Sequence, residues 1–415
     1  MELTKNEEKM LAGDYGEGYK KPMEILVQLG EFYDAKRLVP ISMCYLTKGP
    51  TPTTPGKALE WVEDLANSGV TFKCPTFVST DFGKRVNDHE FKINKKLGAI
   101  PAYQGGGHPR NPFYLPVFGQ QIIGDGTAVT HYMNSYIGAR ANTECFIGGY
   151  SAAIVGKTPE YGFRLHENRL GKTLFEVQVD LKDETDWSAL GYYISLKLAN
   201  NYWDVPVING IKINDVTNDE LVTFSSSVPS YGAVVHSLLV GISPEALTLK
   251  QAFDGGKPKQ TFVVGAKELN EIYERFSPVV EKPDMISIGA FGVIPSIDMV
   301  IKFANLLEGK KVTNDFPTVV LLDGPIKMVA DTMGLTDKLK KAGVQIGMSE
   351  FIKERGLDPK KHYDNPVTKA KKIGLKNIVF VDAKACHYTG NQGVNSILKH
   401  IEECAQIAIT GRMEV

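Results

Sequence analysis

The chain has 415 residues, of which 43% are hydrophobic and 23% charged, as is typical of a folded globular protein with two or three domains. Disorder, collagen and a coiled coil are excluded by this composition. The 47 Lys and Arg residues and the 48 Asp and Glu residues leave a formal net charge of -1, so we expect neither nucleic acid nor an anionic membrane as a partner.

The first third of the chain predicts alternating helices and strands. Thr4 should cap a helix that ends near Ala12, with acidic residues in its first turn. A second helix is expected over 23–32, followed by a strand in RLVPISMCYL, a helix in GKALEWVEDLANSG that Gly69 closes, and a strand in VTFKCPTF. Residues 104–126 are rich in Gly, Pro and aromatics without a period, which predicts a long loop.

Beyond this loop the pattern becomes that of an α/β protein. AVTHYMNSYIGAR and CFIGGYSAAIVG predict buried helices, TLFEVQVDL a strand and SALGYYISLKLANN an amphipathic helix. After FDGGKPKQ, the short apolar runs QTFVVG, MISIGA, TVVLL, GVQIG and NIVFVD alternate with helical segments such as SIDMVIKFANLLEG. This alternation indicates parallel or mixed sheets covered by helices. We predict a multi-domain α/β fold with an N-terminal domain over 1–258 and a C-terminal parallel-sheet domain over 259–415.

The five cysteines are scattered along the chain at Cys44, Cys74, Cys145, Cys386 and Cys404. An odd, dispersed set is typical of a reducing compartment, and the absence of a C-x-x-C pair gives no metal site from spacing. The charged N-terminus has no signal-peptide core, and no apolar stretch reaches the roughly 20 residues of a membrane span. We therefore expect a cytoplasmic protein without a membrane segment.

Two segments place polar groups beside glycine in the first half of the chain. In NSYIGARANTE, residues 134–144, an arginine fork, two amides and a hydroxyl could bind a carboxylate or phosphate. A polar helix end with a capping Asn explains the same residues. In GKTPEYG, Lys157 follows the end of an apolar helix, where a lysine is favoured for structural reasons alone.

Two further signals are weaker. In VGISPEALTLKQAF, Ser243 should cap a helix that begins at the following proline, with Glu245 in its first turn, and no function is required to explain this pattern. His108, with Arg110 nearby, could lie over a site, but a lone loop histidine is more often merely exposed. The glycines at 105–107 lack the G-x-G-x-x-G spacing, so a nucleotide cofactor is not supported.

The strongest site signal from spacing is VDAKACHYTGNQGVNSILKHIEEC. A strand end should deliver polar side chains into a loop that leads through two glycines into a helix, and open α/β sheets place ligands at such strand ends. Free N–H groups at the helix start could receive an anion. A solvated lysine and a capped helix are the alternative. The residues concerned are Asp382, Lys384, His387, Tyr388, Gly390 and Gly393.

In order and spacing, these segments resemble the large, catalytic subunit of the aconitase X family of hydro-lyases. The matching stretches are LTKNEEKMLAGDYGEG, MEILVQLGEFYDAKRLVPIS, NSYIGARANTE, IVGKTPEYGFRLHENR, LGYYISLKLANN, VPVINGI, VGISPEALTLKQAF, AKACHYTG and CAQIAITGR. The resemblance implies an aconitase-like fold and dehydration of a small hydroxylated acid, with cis-3-hydroxyproline and phosphomevalonate as the substrates of the characterised branches. It also implies a separate small subunit, since the usual length of the family's swivelling domain is absent here.

The chain departs from the family at the iron–sulfur cluster. Family members that bind a cluster use three cysteines in stretches that look like C-T-P-Y, G-C-P-H and D-T-C. The corresponding stretches are here Ile100 to Tyr103, Gly289 to Gly292 and Ile346 to Met348, and none contains a thiol. The usual cluster should therefore not assemble, and no cofactor and no metal site are predicted. The family's A-H is also replaced near Cys44 and Tyr45, and its W-x-E-S-S by residues 123–127.

Dehydration needs a base beside a carboxylate, support for the developing charge, and an acid or metal for the departing hydroxide. A lysine beside another cation can titrate near neutral pH and act as such a base. The motif match assigns catalytic roles to Lys157, Lys384, His387 and Tyr388. It assigns the binding of a small carboxylate substrate to Asn134, Ser135, Arg140, Asn142, Arg169, Gly390 and Gly393.

Three functions remain open from the sequence. The favoured one is a cluster-free hydro-lyase, or a related lyase or isomerase, that acts on a small hydroxylated carboxylic or amino acid. The second is an iron–sulfur dehydratase of the cis-3-hydroxyproline or phosphomevalonate type with a metal site rebuilt from Cys44, Cys74, Cys145 or Cys386. The third is a non-catalytic paralogue that serves as a binding subunit, against which the retained cations weigh. Those cations are Arg140, Lys157, Arg169 and Lys384.

Overall fold

The computed structural model describes residues 1–46, 56–79, 88–102, 115–199, 201–232, 234–290, 293–322, 324–347, 371 and 373–413. The chain forms two compact units that interleave along the sequence. Unit 1 comprises Met1–Glu176, Asn201–Ile213 and Val234–Phe262, and unit 2 comprises Val177–Asn200, Asn214–Ala233 and Val263–Val415. The predicted boundary at 258 lies close to Phe262, after which the chain leaves unit 1 for the last time. The earlier segments 177–200 and 214–233 also belong to unit 2, which was not predicted.

The strands are short. In chain order they are β1 Leu38–Pro40, β2 Met43–Leu46, β3 Thr76–Ser79, β4 Ile100–Ala102, β5 Ile122–Gly124, β6 Lys157–Pro159, β7 Thr173–Val177, β8 Pro206–Asn209, β9 Leu238–Leu239, β10 Gln260–Val264, β11 Met285–Ile288, β12 Thr318–Val320, β13 Gln345–Ile346, β14 Asn377–Phe380 and β15 Asn395–Leu398.

The α-helices in the described residues are α1 Lys5–Ala12, α2 Glu17–Phe32, α3 Gly56–Asn67, α4 Asp88–Lys96, α5 Thr127–Tyr132, α6 Phe146–Val155, α7 Glu184–Lys197, α8 Asn218–Ser227, α9 Pro229–Gly232, α10 Leu249–Ala252, α11 Ala266–Arg275, α12 Ile297–Leu306, α13 Gly324–Thr332, α14 Leu335–Ala342, α15 Ala383–Gly390 and α16 Ile401–Thr410. A π-helix spans Met133–Ile137, and three 3-10 helices span Gly162–Arg164, His166–Asn168 and Ile213–Asp215. Among the residues that the structure describes, no helix is both long and apolar enough to span a bilayer.

Unit 1 contains a parallel sheet with the strand order β4-β3-β2-β5. Chain order reverses between β2 and β5, which makes that position the topological switch point of the sheet. Small residues of α6 allow this helix to pack closely on β2, since a Cβ on Gly149 would lie 2.8 Å from Cδ2 of Leu46. Met23, Leu26 and Tyr150 complete a buried core around the sheet. The predicted small-residue packing of this helix is therefore confirmed.

Two further sheets complete unit 1. Strands β7, β8 and β9 run parallel, with β10 beside β7, and they pack around the buried Phe163, Val205 and Val207. Strand β1 pairs antiparallel with β6. The predicted single strand RLVPISMCYL is therefore two strands in two sheets, because the backbone changes partner between them. The N–H of Ile41 donates to the carbonyl of Gly156, and that of Ser42 donates to Gln121.

Unit 2 is built on a five-stranded parallel sheet with the order β13-β12-β11-β14-β15. Its switch point lies between β11 and β14. Helices α12, α13, α14 and α16 cover its core with buried side chains such as Phe303, Leu339 and Ile401, while α7 packs against α8, α11 and α15. The predicted parallel sheet covered by helices is confirmed, because the apolar runs in MISIGA, TVVLL and NIVFVD are strands that are buried along their length.

Three other local predictions differ from the structure. VTFKCPTF is a strand only from Thr76, because the N–H groups of Phe72 and Lys73 donate to the carbonyls of Leu97 and Ala153. AVTHYMNSYIGAR forms α5 and then widens into the π-helix. The predicted loop 104–126 contains β5, while its residues 104–114, which include His108, lie outside the described part of the chain.

Candidate functional site

The carboxyl edge of the unit 1 sheet is the first place where a ligand is expected, because open parallel sheets bind ligands outside their switch points. The edge is formed there by the ends of β2 and β5. Asp125 follows β5, and its N–H donates to the carbonyl of Tyr45 at 3.2 Å. Its side chain is buried. The chain that continues from β2, β3 and β4 at this edge lies outside the described residues.

Residues 138–144 form a mostly buried strap along β5, with bridges that join Arg140 to Gln121 and Thr143 to Gly124. Asn134 holds the strap by donating to the carbonyls of Ala141 and Val235 at 3.0 and 2.9 Å, and it accepts from the N–H of Ala141. These amide contacts are made to backbone groups. The predicted helix end is wrong here, since the π-helix ends at Ile137 and the strap that follows is extended beside β5.

Asn142 and Ser135 also use their polar groups within the protein. Asn142 donates to the carbonyl of Tyr161 at 3.1 Å and accepts from the N–H of Phe163 at 2.9 Å. Ser135 accepts from the N–H of Ser237 at 2.9 Å. Both side chains are buried. In this structure they fix the backbone around the strap, and their role in substrate binding stays a prediction.

A buried ion pair joins Arg164 to Glu144, whose side chains are 0% and 1% exposed. Arg164 also donates to the carbonyls of Arg140 and Ile122 at 2.9 Å each. Burial raises the pKa of Glu144, although the charge of Arg164 acts in the opposite direction. Arg140, which is half-buried, donates to the carbonyl of Arg164 at 2.7 Å. It is the least enclosed of the predicted substrate-binding side chains in the strap.

Arg169 forms an ion pair with Glu245 within unit 1. Its Nε lies 2.9 Å from both carboxylate oxygens of Glu245, and its Nη2 donates to the carbonyl of Asn134 at 2.9 Å.

The predicted helix start at Ser243 is wrong, because Thr248 caps the helix, which begins at Leu249. Glu245 is held by Arg169, and the hydroxyl of Ser243 accepts from a backbone N–H four residues earlier.

Lys157 lies at the amino edge of the unit 1 sheet, opposite the edge where ligands are expected. It follows Gly156, which ends α6 and whose carbonyl accepts from Ile41 immediately before β2. Its Nζ lies 2.6 Å from Oε1 of Glu7, a carboxylate that also closes a capping box with Thr4, the predicted cap of α1. Glu7 and the helix end explain this lysine structurally, and its catalytic role stays a prediction.

Lys384 follows β14 at the carboxyl edge of the unit 2 sheet, and the helix that carries it runs back toward the amino edge, where Gly393 precedes β15. The predicted loop after β14 is wrong: residues 383–390 form α15, and Asp382 caps it by accepting from the N–H of Ala385 at 2.8 Å. Gly390 ends this helix, and Gly393 lies in a turn with φ of 75° before β15. Neither glycine is at a helix start, so the anion site predicted there is not formed.

Asp382 is nonetheless placed at the switch point of unit 2, since it follows β14 beside β11. Its Oδ2 accepts from the hydroxyl of Ser188 on α7 at 2.9 Å, and Ser188 lies 2.8 Å from the hydroxyl of Ser227 on α8. Burial raises the pKa of Asp382. The two serines were not predicted. The run Ser225 to Ser227 at the buried end of α8 is a local signal for Ser227, whereas Ser188 has none.

Lys384, His387 and Tyr388 all lie on α15, within about one turn of each other. Lys384 is half-buried in the first turn, at the carboxyl edge. His387 places Nδ1 at 2.9 Å from the hydroxyl of Tyr192 and Nε2 at 3.1 Å from the amide nitrogen of Asn391. Burial and the charge of Arg275 lower the pKa of His387, so it is neutral near pH 7. Burial raises the pKa of Tyr388.

An acidic cluster on the first turn of α7 was also missed by the sequence. Asp183 accepts from Nδ1 of His400 at 3.0 Å, and Asp186 accepts from the hydroxyl of Tyr273 at 2.6 Å. The same hydroxyl lies 3.0 Å from Nε2 of His400, whose ring stacks on Tyr273. Only the folded chain brings these residues from three helices together, so local sequence carried no signal for the cluster.

The donor set does not fit a three-cysteine cluster. Ile100 and Ala290 offer only hydrocarbon side chains, and Met348 lies outside the described residues. Cys44 and Cys74 are neighbours, whereas Cys386 and Cys404 are buried in unit 2. In the described residues, no group of three or more His, Cys, Asp and Glu side chains is arranged to hold a metal ion.

Comparison with known proteins matches residues 1–167 to the first domain of aconitase X and residues 171–274 to the second domain. A phosphomevalonate dehydratase large subunit from Methanocaldococcus jannaschii is 30% identical over 363 residues, which are 83% of this chain and 88% of that protein. The chain belongs to the aconitase X family. This membership confirms the resemblance drawn from the motifs.

Two further comparisons extend this result. The crystal structure of Thermococcus kodakaraensis aconitase X in its holo-form has a TM-score of 0.80 at 27% identity, and the match covers 98% of this chain and all of that one. A cis-3-hydroxy-L-proline dehydratase from Pseudomonas aeruginosa is 25% identical over 301 residues, which are 68% of this chain and 50% of that protein. The predicted aconitase-like α/β fold is confirmed, and the names of these aconitase X relatives agree with the predicted hydro-lyase class.

Proposed function

We propose that this aconitase X protein is a hydro-lyase that removes water from a small hydroxylated carboxylic acid without the three-cysteine iron–sulfur cluster. The observation that carries the proposal is 30% identity to a dehydratase large subunit over 88% of that relative's length. The dehydratase from Pseudomonas aeruginosa supports the same reaction class. The missing thiols support the cluster-free chemistry, because hydrocarbon side chains cannot replace thiolate ligands.

In unit 2, α15 offers the groups that dehydration needs. Lys384 supplies a positive charge for the substrate carboxylate or for the departing hydroxide. His387 has a lowered pKa because of its burial, so at neutral pH it is in the form that can accept a proton. Asp382, Ser188 and Ser227 hold the start of the helix and thereby position Lys384.

In unit 1, Arg140 is the proposed carboxylate-binding side chain. It lies beside Gln121 at the amino end of β5, so this assignment is based on its half-buried side chain and the motif match, not on the carboxyl edge of the sheet. Arg140 is half-buried, and its guanidinium donates a hydrogen bond to the carbonyl of Arg164, which orients it. Asn134 fixes the backbone at Ala141, next to Arg140, and Asn142 fixes the backbone at Phe163, next to Arg164. An arginine held in this way can bind a carboxylate with two parallel hydrogen bonds.

The substrate is proposed to belong to the classes named for the relatives, phosphomevalonate or cis-3-hydroxy-L-proline. The Methanocaldococcus relative is called a large subunit, and we propose a small-subunit partner for this chain as well. Dehydration of each compound should be assayed with the purified chain and with the chain co-purified with its associated small subunit. If neither compound is turned over in either preparation, the proposed substrate class is contradicted.

Two lysines at opposite ends of β14 test the site. Lys384→Ala should lower kcat/KM by about 10²-fold or more, because a group that stabilises developing charge is removed. Lys376→Ala is the matched control, since this exposed lysine immediately precedes β14 at the opposite edge of the same sheet. It should leave kcat/KM unchanged within about twofold. Equal effects of the two substitutions would contradict the placement of the site.

A further inference from the structure

Cys44 and Cys74 form a close pair of thiols that the proposed reaction does not use. Their sulfur atoms lie 3.5 Å apart. Cys44 is buried within β2, whereas Cys74 is half-buried just before β3. Cys145 is exposed, and Cys386 and Cys404 are buried in unit 2. In unit 1 the pair therefore combines one half-buried cysteine with one buried cysteine beside it.

The sheet holds the two backbones at this separation. Cys44 pairs with Thr76 in the register of β2 and β3, and its N–H donates to the carbonyl of Pro75 at 2.9 Å. Cys74 is thus fixed two residues before the paired position. A disulfide requires sulfur atoms at about 2.0 Å. The two sulfur atoms must therefore move about 1.5 Å closer together for the bond to form.

We propose that Cys44 and Cys74 are a reversible oxidation site that a peroxide converts to an intramolecular disulfide. Cys74 is the attacking residue because it is the less buried of the two, and Cys44 is the resolving residue because its sulfur lies 3.5 Å from that of Cys74. The site is independent of the hydro-lyase chemistry proposed above.

The reaction balances with one peroxide. The Cys74 thiolate attacks a peroxide oxygen, which forms an S–O bond, breaks the O–O bond and releases one water after protonation. The Cys44 sulfur then attacks the Cys74 sulfur, which forms the S–S bond, breaks the S–O bond and releases a second water. Two thiols lose two electrons in total, and hydrogen peroxide gains them. A dithiol reductant reverses the change.

The electrostatic surroundings favour this order of attack. The hydrogen bond from Cys44 lowers the pKa of the Cys74 thiol, and the hydroxyl of Thr76 acts in the same direction. Burial raises the pKa of Cys44. The thiolate is the nucleophile in both thiol oxidation and disulfide exchange. Cys74 is therefore the sulfur that reacts first.

The test begins with the wild-type chain. Reduced protein is treated with stoichiometric hydrogen peroxide, its remaining thiols are blocked, and the digest is analysed by mass spectrometry. A peptide that links Cys44 to Cys74, together with the loss of two of the five thiols and their recovery with dithiothreitol, supports the proposal. A linkage between other cysteines, or sulfinic acid at Cys74 with the Cys44 thiol intact, overturns it.

Variants test the two roles separately. Cys44→Ser should trap a sulfenic acid on Cys74 that dimedone labels, because the resolving sulfur is gone. Cys74→Ser should abolish the loss of the Cys44 thiol. Cys145→Ser is the control, and it should lose the same two thiols as the wild-type chain. Unchanged oxidation of Cys44 in the Cys74→Ser variant overturns the proposal.

Discussion

At the scale of single residues, several polar side chains of the sequence motifs make their hydrogen bonds to other groups of the protein. Asn134, Asn142 and Arg169 place their hydrogen bonds on backbone groups and on Glu245. They share this property with the pair Arg164 and Glu144, which the motif analysis had not joined. These side chains satisfy buried polar atoms that would otherwise be costly, and in doing so they fix the strap that carries Arg140.

Removing one partner of the buried pair should destabilise unit 1 strongly. Glu144→Gln leaves the charge of Arg164 without a counter-charge in a site where both side chains are almost fully enclosed. We expect the free energy of unfolding to fall by about 3–5 kcal/mol, as measured by urea denaturation.

Glu160→Gln is the control for this change. It removes the partner of Arg37 in an ion pair whose arginine is 64% exposed, so solvent replaces most of the interaction and the unfolding midpoint should barely move. A similar loss of stability in the two variants would show that burial does not make the Glu144 pair special.

Single polar residues were easier to predict from the sequence than the residues they contact. Arg169 and Lys384 could be singled out because a charged side chain beside a motif is visible locally. The pairing of Arg169 with Glu245, 76 residues away, could not be predicted, because partner choice in a core depends on how distant segments pack. For the same reason Ser188 went unnoticed as the partner of Asp382, 194 residues away.

At the scale of secondary-structure elements, the best predictions were those with a strong local cause. Thr4 caps α1 and Glu7 completes the capping box, so that helix could be predicted from adjacent residues. The buried strand β14 could be predicted from its continuous apolar run. Helix α15 could not, because its polar residues and the glycines 390 and 393 look like a loop, although Asp382 is a good capping residue.

The N-terminal ends of α7 and α16 are joined by a titratable pair. Burial lowers the pKa of His400, but the hydrogen bond and charge of Asp183 and the charges of Asp186 and Glu403 outweigh this effect and raise it. The pKa of Asp183 is correspondingly lowered by His400 against the effect of burial. A histidine with a raised folded pKa stabilises the protein fully below its unfolded value of about 6.5. This contribution is lost as the pH rises through the folded pKa.

We therefore expect a pH-dependent effect of His400→Gln on stability. The free energy of unfolding should fall further below the wild-type value at about pH 5.5 than at about pH 9, because only the protonated ring is held by the two aspartates. Asp183 is ionised throughout this range, so it adds no opposite trend. Denaturant titrations at the two pH values measure the difference.

His166→Gln serves as the comparison, since His166 is exposed on a 3-10 helix. Its substitution should produce little change in stability at either pH. A constant effect of His400→Gln across the two pH values would contradict the role assigned to the charged histidine.

At the scale of the whole molecule, each unit contains a parallel sheet with its own switch point. Asp125 lies at the switch point in unit 1, and Asp382 with Lys384 lies at the switch point in unit 2. This arrangement follows from the topology, because parallel strands deliver the chain that follows them to one edge. The family fold is thus retained where polar chemistry is expected, while the thiols of the cluster stretches are absent from the sequence.

The final prediction concerns the metal content of the whole chain. Anaerobic purification and reconstitution with ferrous iron and sulfide should leave this protein without stoichiometric iron and without charge-transfer absorption, because three thiolate ligands are missing. Stoichiometric iron with charge-transfer absorption in the unaltered chain would contradict cluster-free chemistry. Dehydratase activity that persists in the iron-free protein would distinguish altered chemistry from a lost function, since a binding subunit would have none.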